Sequence, residues 1–357
     1  MYIYHYSLLI NMIKLQVNAS NFKILQFSDL HFGEDERLDS LTLSLMRTAF
    51  QRETPDFAVF SGDLVSGYAV WSENQRELMW KRALSVSEEF RVPFATLFGN
   101  HDDQPFQEDS LVWSKVFFVL LVLFLVIYGL TYKSHIRWRL CILAAALLSL
   151  CGHVMTAPSK ATRMALLHYE RQVFPSLSYS SQGPSHIHGA SNYRIVVQTT
   201  IGPVALFFID SGGGRIPEDI HANQINWLNS MDVRDMPSIA FVHISPFPAN
   251  IQNIDCQGSL ALEQSSSVSG GMALLDALQR RNVSAVFFGH DHGNEWCCQY
   301  KDMLACYGKH SGFGGYFIGS ECPGTRVIDL HGNGTLITRI VQSTRSVRNP
   351  KDAICVL

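Results

Sequence analysis

Charge is scarce in this chain. Lys, Arg, Asp and Glu make up 17% of its 357 residues, and the formal net charge is −3. There is no basic excess and no clustered basic face, which argues against a nucleic-acid footprint. The eight cysteines never fall in CxxC pairs, so a zinc ribbon is not indicated. No internal repeat appears, so a repeat architecture is not indicated either. The first twenty residues lack a basic start, and Asn11 and Lys14 break their apolar run, so they read poorly as a signal peptide. What the chain has instead is apolar mass. Hydrophobic residues reach 47%, which excludes a disordered chain and allows one large domain, or two modest ones, with a sizeable core.

Short apolar runs alternate with amphipathic segments. Residues 22–29, 56–63 and 92–100 read as strands that each end in a polar or glycine turn, while 38–52 and 72–90 carry helical spacing. After residue 190 the chain becomes strand-rich, with helical segments near 218–231 and 270–281. Its last apolar stretch reads as a hairpin turning at Gly332-Asn333-Gly334. The pattern predicts an α/β protein. Its main domain is expected over 22–341, with an N-terminal segment at 1–21 and a C-terminal tail at 342–357.

One segment breaks the pattern. Val116–Tyr132 carries no charge, and Leu140–Thr156 carries only His153. Each would span about 26 Å as a helix, close to the ~30 Å hydrocarbon core. Trp113, Tyr132 and Trp138 stand where an interfacial belt would be. The spacing predicts a transmembrane helical hairpin over 111–157; a buried helical pair and mistranslated non-coding sequence are the competing readings. The basic loop 133–139 favours the cytosol, which would put the flanking halves on the lumenal or outer side and the protein in a membrane. Without the hairpin, the protein would be soluble. Sequons at Asn18, Asn282 and Asn333 lean toward the secretory route. Cys256, Cys297, Cys298, Cys306 and Cys322 are either disulfides of an oxidising compartment or buried thiols.

The ends of the apolar runs carry the chemistry. Asp29-Leu30-His31 closes the first, Gly62-Asp63 the second and Asn100-His101-Asp102 the third; His243 closes a later one and His290-Asp291-His292 another. Ligand sites in open α/β sheets gather at the carboxyl ends of strands. Residues i and i+2 leave a strand on one side, so Asp29 with His31, and His290 with His292, can face one cavity. Imidazole and carboxylate together suit zinc, iron or manganese better than calcium. Asp63 can bridge two ions about 3.5–4 Å apart, and Asn100 can bind through its amide oxygen. Two divalent ions outweigh Asp29, Asp63 and one hydroxide, which leaves positive charge for a phosphate. His101 follows a ligand directly and is expected to act as a general acid, with Asp102 orienting its ring. Asp291, between two ligands, is expected to face away. The glycine run after Asp210 is either a phosphate cradle or a plain turn, and Lys309-His310 is a further candidate for substrate contact.

The blocks SDLH, SGDL, GNHDD, VHIS and GHDHG resemble, in order and spacing, those of the calcineurin-like metallophosphoesterase family. The likeness is to its purple-acid-phosphatase-like branch, with the plant "inactive purple acid phosphatase" group and fungal protein phosphatase relatives. It covers about 22–104 and 161–341. The resemblance implies a metallophosphoesterase-type β-sandwich flanked by helices, a four-layer α/β/β/α arrangement interrupted here by the hydrophobic hairpin. It implies one metal on Asp29, His31, Asp63 and His292, and a second on Asp63, Asn100, His243 and His290, with His101 as the acid. True purple acid phosphatases carry glycine at the position of His31 and tyrosine at that of Ser66, so no tyrosinate–iron colour is expected. The implied function is dinuclear-metal-dependent hydrolysis of a phosphoester, in a phosphoprotein or a small molecule, by a metal-bridging hydroxide. A phosphomonoesterase competes with a phosphodiesterase, and both with a membrane-anchored, non-catalytic metal-binding protein whose cleft the hairpin obstructs.

Overall fold

The computed structural model describes residues 13–17, 21–106, 159–200, 202–231, 236–248, 255–258, 263–318, 322–331, 335–346 and 354–356. The three apolar runs become β2 (Asn21–Phe27), β3 (Phe57–Ser61) and β4 (Phe94–Leu97), paired in parallel. With β12 (Gly324–His331) and β13 (Leu336–Gln342) they form a five-stranded sheet in the order β13-β12-β2-β3-β4. β12 and β13 pair antiparallel as the expected hairpin, whose turn at 332–334 lies outside the described residues.

The second sheet has eight described strands. Its centre is β6 (Gly202–Ile209), β7 (Ser238–Val242), β9 (Val283–Phe288) and β11 (Met303–Tyr307), successive neighbours that all pair in parallel. β5 (Tyr193–Thr199) and β1 (Ile13–Val17) extend one edge; β10 (Cys297–Tyr300) and β8 (Cys256–Gln257) extend the other. β1 lies inside the expected N-terminal segment, so this sheet reaches back before residue 22.

Alternation along the strands assigns the layers. Phe22 and Ile24 of β2, with Phe57 and Val59 of β3, face Ile195, Leu206, Phe241 and Phe287 of the eight-stranded sheet. The intervening Leu25, Phe27, Ala58 and Phe60 face outward, onto α1 (Glu36–Glu53), α2 (Glu73–Phe90) and α3 (Ala161–Val173). Outward residues of the other sheet, Ala240, Val242, Val286 and Phe288, meet α4 (Ala222–Ser230) and α5 (Gly271–Arg280). Strands that bury both faces read as continuous apolar runs, as these do. Two sheets lie between two helical layers. The hydrophobic hairpin expected over 111–157 falls outside the described residues; among those described, no helix is long and apolar enough to cross a membrane.

α3 is tied to β4 by one buried carboxylate. Glu170 accepts from Trp80 Nε1 at 2.9 Å, Thr96 Oγ1 at 2.9 Å and Ser178 Oγ at 2.6 Å, and burial raises its pKa despite those donors. Glu170→Ala strands these donors and is expected to destabilise the fold by about 2–4 kcal/mol. Urea denaturation of the full chain, with an unchanged m-value, is the check.

Candidate metal centre

The polar strand ends converge. Asp29 N donates to the Gly62 carbonyl at 3.0 Å and His31 N to the Asp63 carbonyl at 3.0 Å, so the loops after β2 and β3 run side by side. His290 N, beyond β9, donates to the Asp29 carboxylate at 3.1 Å. His101 N, beyond β4, donates to Asp63 Oδ1 at 2.7 Å. Four of these residues sit at positive φ: Asp29 at 58°, His31 at 52°, Asp63 at 53° and His290 at 77°. Left-handed backbone costs a non-glycine residue on the order of 1 kcal/mol, and it collects at functional sites because the surroundings impose it. Glycine makes the approach possible. A Cβ on Gly62, itself at φ +97°, would lie 2.4 Å from His243 Nδ1, and one on Gly99 would lie 2.1 Å from Asp63 Oδ1.

Two ligand triads result. Asp29, His31 and His292 form one, and Asp63, His243 and His290 the other; within each triad the donor atoms lie within 4.8 Å of one another. The Asn100 amide oxygen lies 3.2 Å from His243 Nε2 and 2.8 Å from His290 Nδ1, against the second triad. Asp63 Oδ2 is 3.1 Å from His243 Nε2, and Asp29 Oδ1 is 3.9 Å from the same nitrogen. All seven residues expected as ligands are therefore gathered at one place.

The donor chemistry fits divalent cations. His243 Nδ1 faces the Ser61 carbonyl at 2.9 Å and His292 Nδ1 faces the Tyr316 carbonyl at 2.8 Å. A carbonyl only accepts, so each ring holds a proton on Nδ1 and turns Nε2 to the centre, the arrangement that fixes a metal-ligating imidazole. Burial lowers His31 well below its ordinary value and His290 to about 4, keeping both rings neutral, as ligands require. Burial also opposes charge on His243, yet the Asp63 carboxylate beside it raises that ring to about 10. Burial likewise works against Asp63, but His243 and His101 hold it well below the usual carboxylate range. The centre calls for positive charge.

One expectation needs correction, and the other side chains singled out in the sequence can be placed. Asp102 does not pair with the His101 ring. Its carboxylate accepts from the backbone N–H groups of Gly99 at 2.7 Å, Asp63 at 3.0 Å and Val65 at 3.1 Å, while His101 Nδ1 faces Gln104 Oε1 at 3.1 Å. The tight turn spends the Asp102 side chain on an amide of its own loop and on two amides of the loop after β3, not on the ring. His101 stands beside the triads, its ring 5.0 Å from that of His31. Lys309 and His310 are both buried: Lys309 pairs with Glu295 at 2.7 Å, and His310 stacks on His292 at 3.9 Å. Gly213 and Gly214 press against Asn100 and Asp103, so the run after Asp210 serves close packing. Asp291 faces away from the centre and accepts from Ser266 N and the Tyr307 hydroxyl. Cys256–Cys298 and Cys297–Cys306 are disulfides and are not ligands. Tyr68, two residues beyond Ser66, gives its hydroxyl to Glu34.

Arg163 went unread in the sequence, because its partners lie far from it along the chain. Fully buried in α3, it binds Asp103 at 3.0 Å, Asp210 at 2.5 Å and the carbonyls of Gly99, Gly212 and Gly213. One guanidinium thus joins the Asn100 loop of the first sheet to the Asp210 loop of the second.

The family model for calcineurin-like phosphoesterase matches residues 22–154, from β2 through the Asn100 loop. This part of the chain is thus similar to that family. Among its relatives, a probable inactive purple acid phosphatase 28 of Arabidopsis thaliana is 25% identical over 341 residues, covering 83% of this chain and 71% of the relative. Phosphatase DCR2 of Saccharomyces cerevisiae is 22% identical, covering 82% of this chain and 48% of that protein. Purple acid phosphatase PPD1 from yellow lupin superimposes with a TM-score of 0.47 at 12% identity, covering 95% of this chain and 53% of that one. The family is one of phosphoesterases that bind divalent metals, and this chain carries candidate ligand groups for them.

Removing the buried guanidinium leaves two carboxylates without compensation. Arg163→Met is expected to cost about 3–5 kcal/mol of stability. Urea denaturation, with Asp63→Asn as a comparison at a nearby position, measures it.

Proposed function

We propose that the chain is a two-metal phosphoester hydrolase, with a phosphomonoester, in a phosphoprotein or a small molecule, as its substrate. The observation that carries this reading is the pair of donor triads, with Asn100 against one of them, set at strand ends that two sheets bring together. Divalent ions bound there would neutralise the phosphate oxygens and activate water for attack on phosphorus. Asp29, His31 and His292 would hold one ion and Asp63, Asn100, His243 and His290 the other, with Asp63 reaching toward both. The mixed nitrogen and oxygen donors support zinc, iron or manganese as the ions.

The chain's own contribution is to place a proton. His101 Nδ1 is engaged by Gln104, so the protonated ring carries its mobile proton on Nε2 and gives it to the departing oxygen. Asp102 serves this step indirectly. By gathering the amides of Gly99, Asp63 and Val65, it fixes the two loops from which Asp63 and Asn100 project. The disulfides Cys256–Cys298 and Cys297–Cys306 and the exposed Asn282 sequon support an oxidising, lumenal or extracellular setting for the domain.

The competing reading is a metal-binding protein without turnover, which the word "inactive" in the Arabidopsis relative's name brings forward. A complete donor set favours catalysis. Metal content by elemental analysis, coupled to hydrolysis of aryl phosphate monoesters and diesters, separates the readings. Two ions bound with turnover of the monoester supports the proposal; two ions bound with no turnover of either ester overturns it. His101→Ala is expected to keep its metals and lose about 10²–10⁴-fold in turnover of a poor-leaving-group ester. Asp63→Asn is expected to lower metal content instead.

A further inference from the structure

Glu34 lies just beyond the His31 turn, and its carboxylate is engaged on every side. Oε1 accepts from the Ser66 hydroxyl and from the Tyr68 hydroxyl, and Oε2 accepts from Gly315 N at 2.9 Å. Ser66 Oγ also meets His31 Nδ1 at 2.8 Å. The Glu34 carboxylate itself stands 3.8 Å from that nitrogen, beyond hydrogen-bond reach, so Ser66 lies between them in the network.

Proton accounting fixes the direction of the relay. A serine hydroxyl has one proton, and a carboxylate can only accept. Ser66 therefore spends its proton on Glu34, and it can meet His31 only as an acceptor. His31 must carry its proton on Nδ1, which leaves the Nε2 lone pair facing the centre. His31 Nε2 and His292 Nε2 are 3.1 Å apart, and the Tyr316 carbonyl imposes the same tautomer on His292. Two lone pairs are thereby aimed at each other, an arrangement that a cation between them relieves.

We propose that Glu34 is a positioning residue for the first metal site, acting through Ser66 to hold His31 in the tautomer that can ligate. This rests on the two-metal reading above. The carboxylate, and not merely a polar group of its size, is required. In Glu34→Gln, the Gly315 N–H cannot turn away, so the amide oxygen faces it and the amide NH₂ faces Ser66 and Tyr68. Both hydroxyls can rotate to accept. Ser66 then gives its own proton to His31 Nδ1, and His31 is driven to carry its proton on Nε2, where it blocks ligation. Glu34→Ala supplies no donor and leaves Ser66 able to accept from His31.

The usual ranking of substitutions is thereby inverted. Glu34→Gln is expected to weaken one of the two Zn²⁺ sites by about 10–100-fold, and Glu34→Ala by less. Calorimetric titration of the metal-free full chain with Zn²⁺ measures both. Histidine ¹⁵N NMR of the same metal-free proteins reads the tautomer directly: Nδ1–H on His31 in wild type and in Glu34→Ala, Nε2–H in Glu34→Gln. A Gln variant that binds Zn²⁺ as tightly as the Ala variant, or that keeps Nδ1–H, overturns the proposal. So does Nε2–H in the metal-free wild type, whether or not the variants fold. Failure of wild type to bind two Zn²⁺ would overturn the two-metal reading, whereas the tautomer measurement tests Glu34 without any metal.

Discussion

A single buried guanidinium makes the geometry of the centre possible. Arg163 has no exposed surface, nor have its partners Asp103 and Asp210. A charge there is tolerable only if it is paired and its donors are used. Arg163 is paired with carboxylates on loops from different sheets, and its Nη2 also meets the carbonyls of Gly99, Gly212 and Gly213, while its Nε has no partner among the described residues. Asp210 is held in turn by the amides of Ala190, Ser191 and Gly212. The loop that presents Asn100 is thus fixed from beneath by charge, and from the side by glycines that let the Asp210 loop lie against it. Hydrophobic packing alone could set the two sheets face to face, but it is non-directional. The angular placement of Asn100 against His243 and His290 comes from this clamp.

The same logic recurs with carboxylates. Asp102 is fully buried and draws three amides from two loops to one point. Asp29 and Asp63 each use backbone N–H groups of another loop, from His290 and His101, to align the donors they sit beside. Left-handed backbone at Asp29, His31, Asp63 and His290 shows where the chain bends against its own preference to reach these partners. Isolated turns would relax. Here each strained residue is held by bonds from a different strand end, so the cost falls on the whole cluster and no single loop can release it.

This distribution explains what the sequence discloses and what it hides. Strand ends and the i, i+2 spacing of Asp29 with His31, and of His290 with His292, are local, so the convergence of the ligands could be read from residue types alone. The α/β class could be read as well, because residues buried on both faces of β3 and β7 write themselves as apolar runs, whereas the sandwich was implied only by the resemblance to the family. Partnerships across the fold could not. Asp102 beside His101 looks like an orienting carboxylate until the tight turn shows its oxygens spent on amides. Ser66 reads as a missing tyrosine, whereas it links His31 to Glu34. Arg163 sits in an ordinary amphipathic helix, and only the fold brings it 64 residues back to Gly99.

The same clamp bears on the long segment between residues 106 and 159. The chain departs from the Asn100 loop just after Gln104, whose carbonyl accepts from Arg76 Nη2 at 2.6 Å. It returns at Ser159, whose N–H meets the Arg215 carbonyl at 3.1 Å, and four residues later it places Arg163 under the loop it left. Departure and return are pinned independently, each to α2 or to the Asp210 loop. Closing a long connection costs entropy that grows only logarithmically with its length. Both points of attachment are thus set by hydrogen bonds among the described residues.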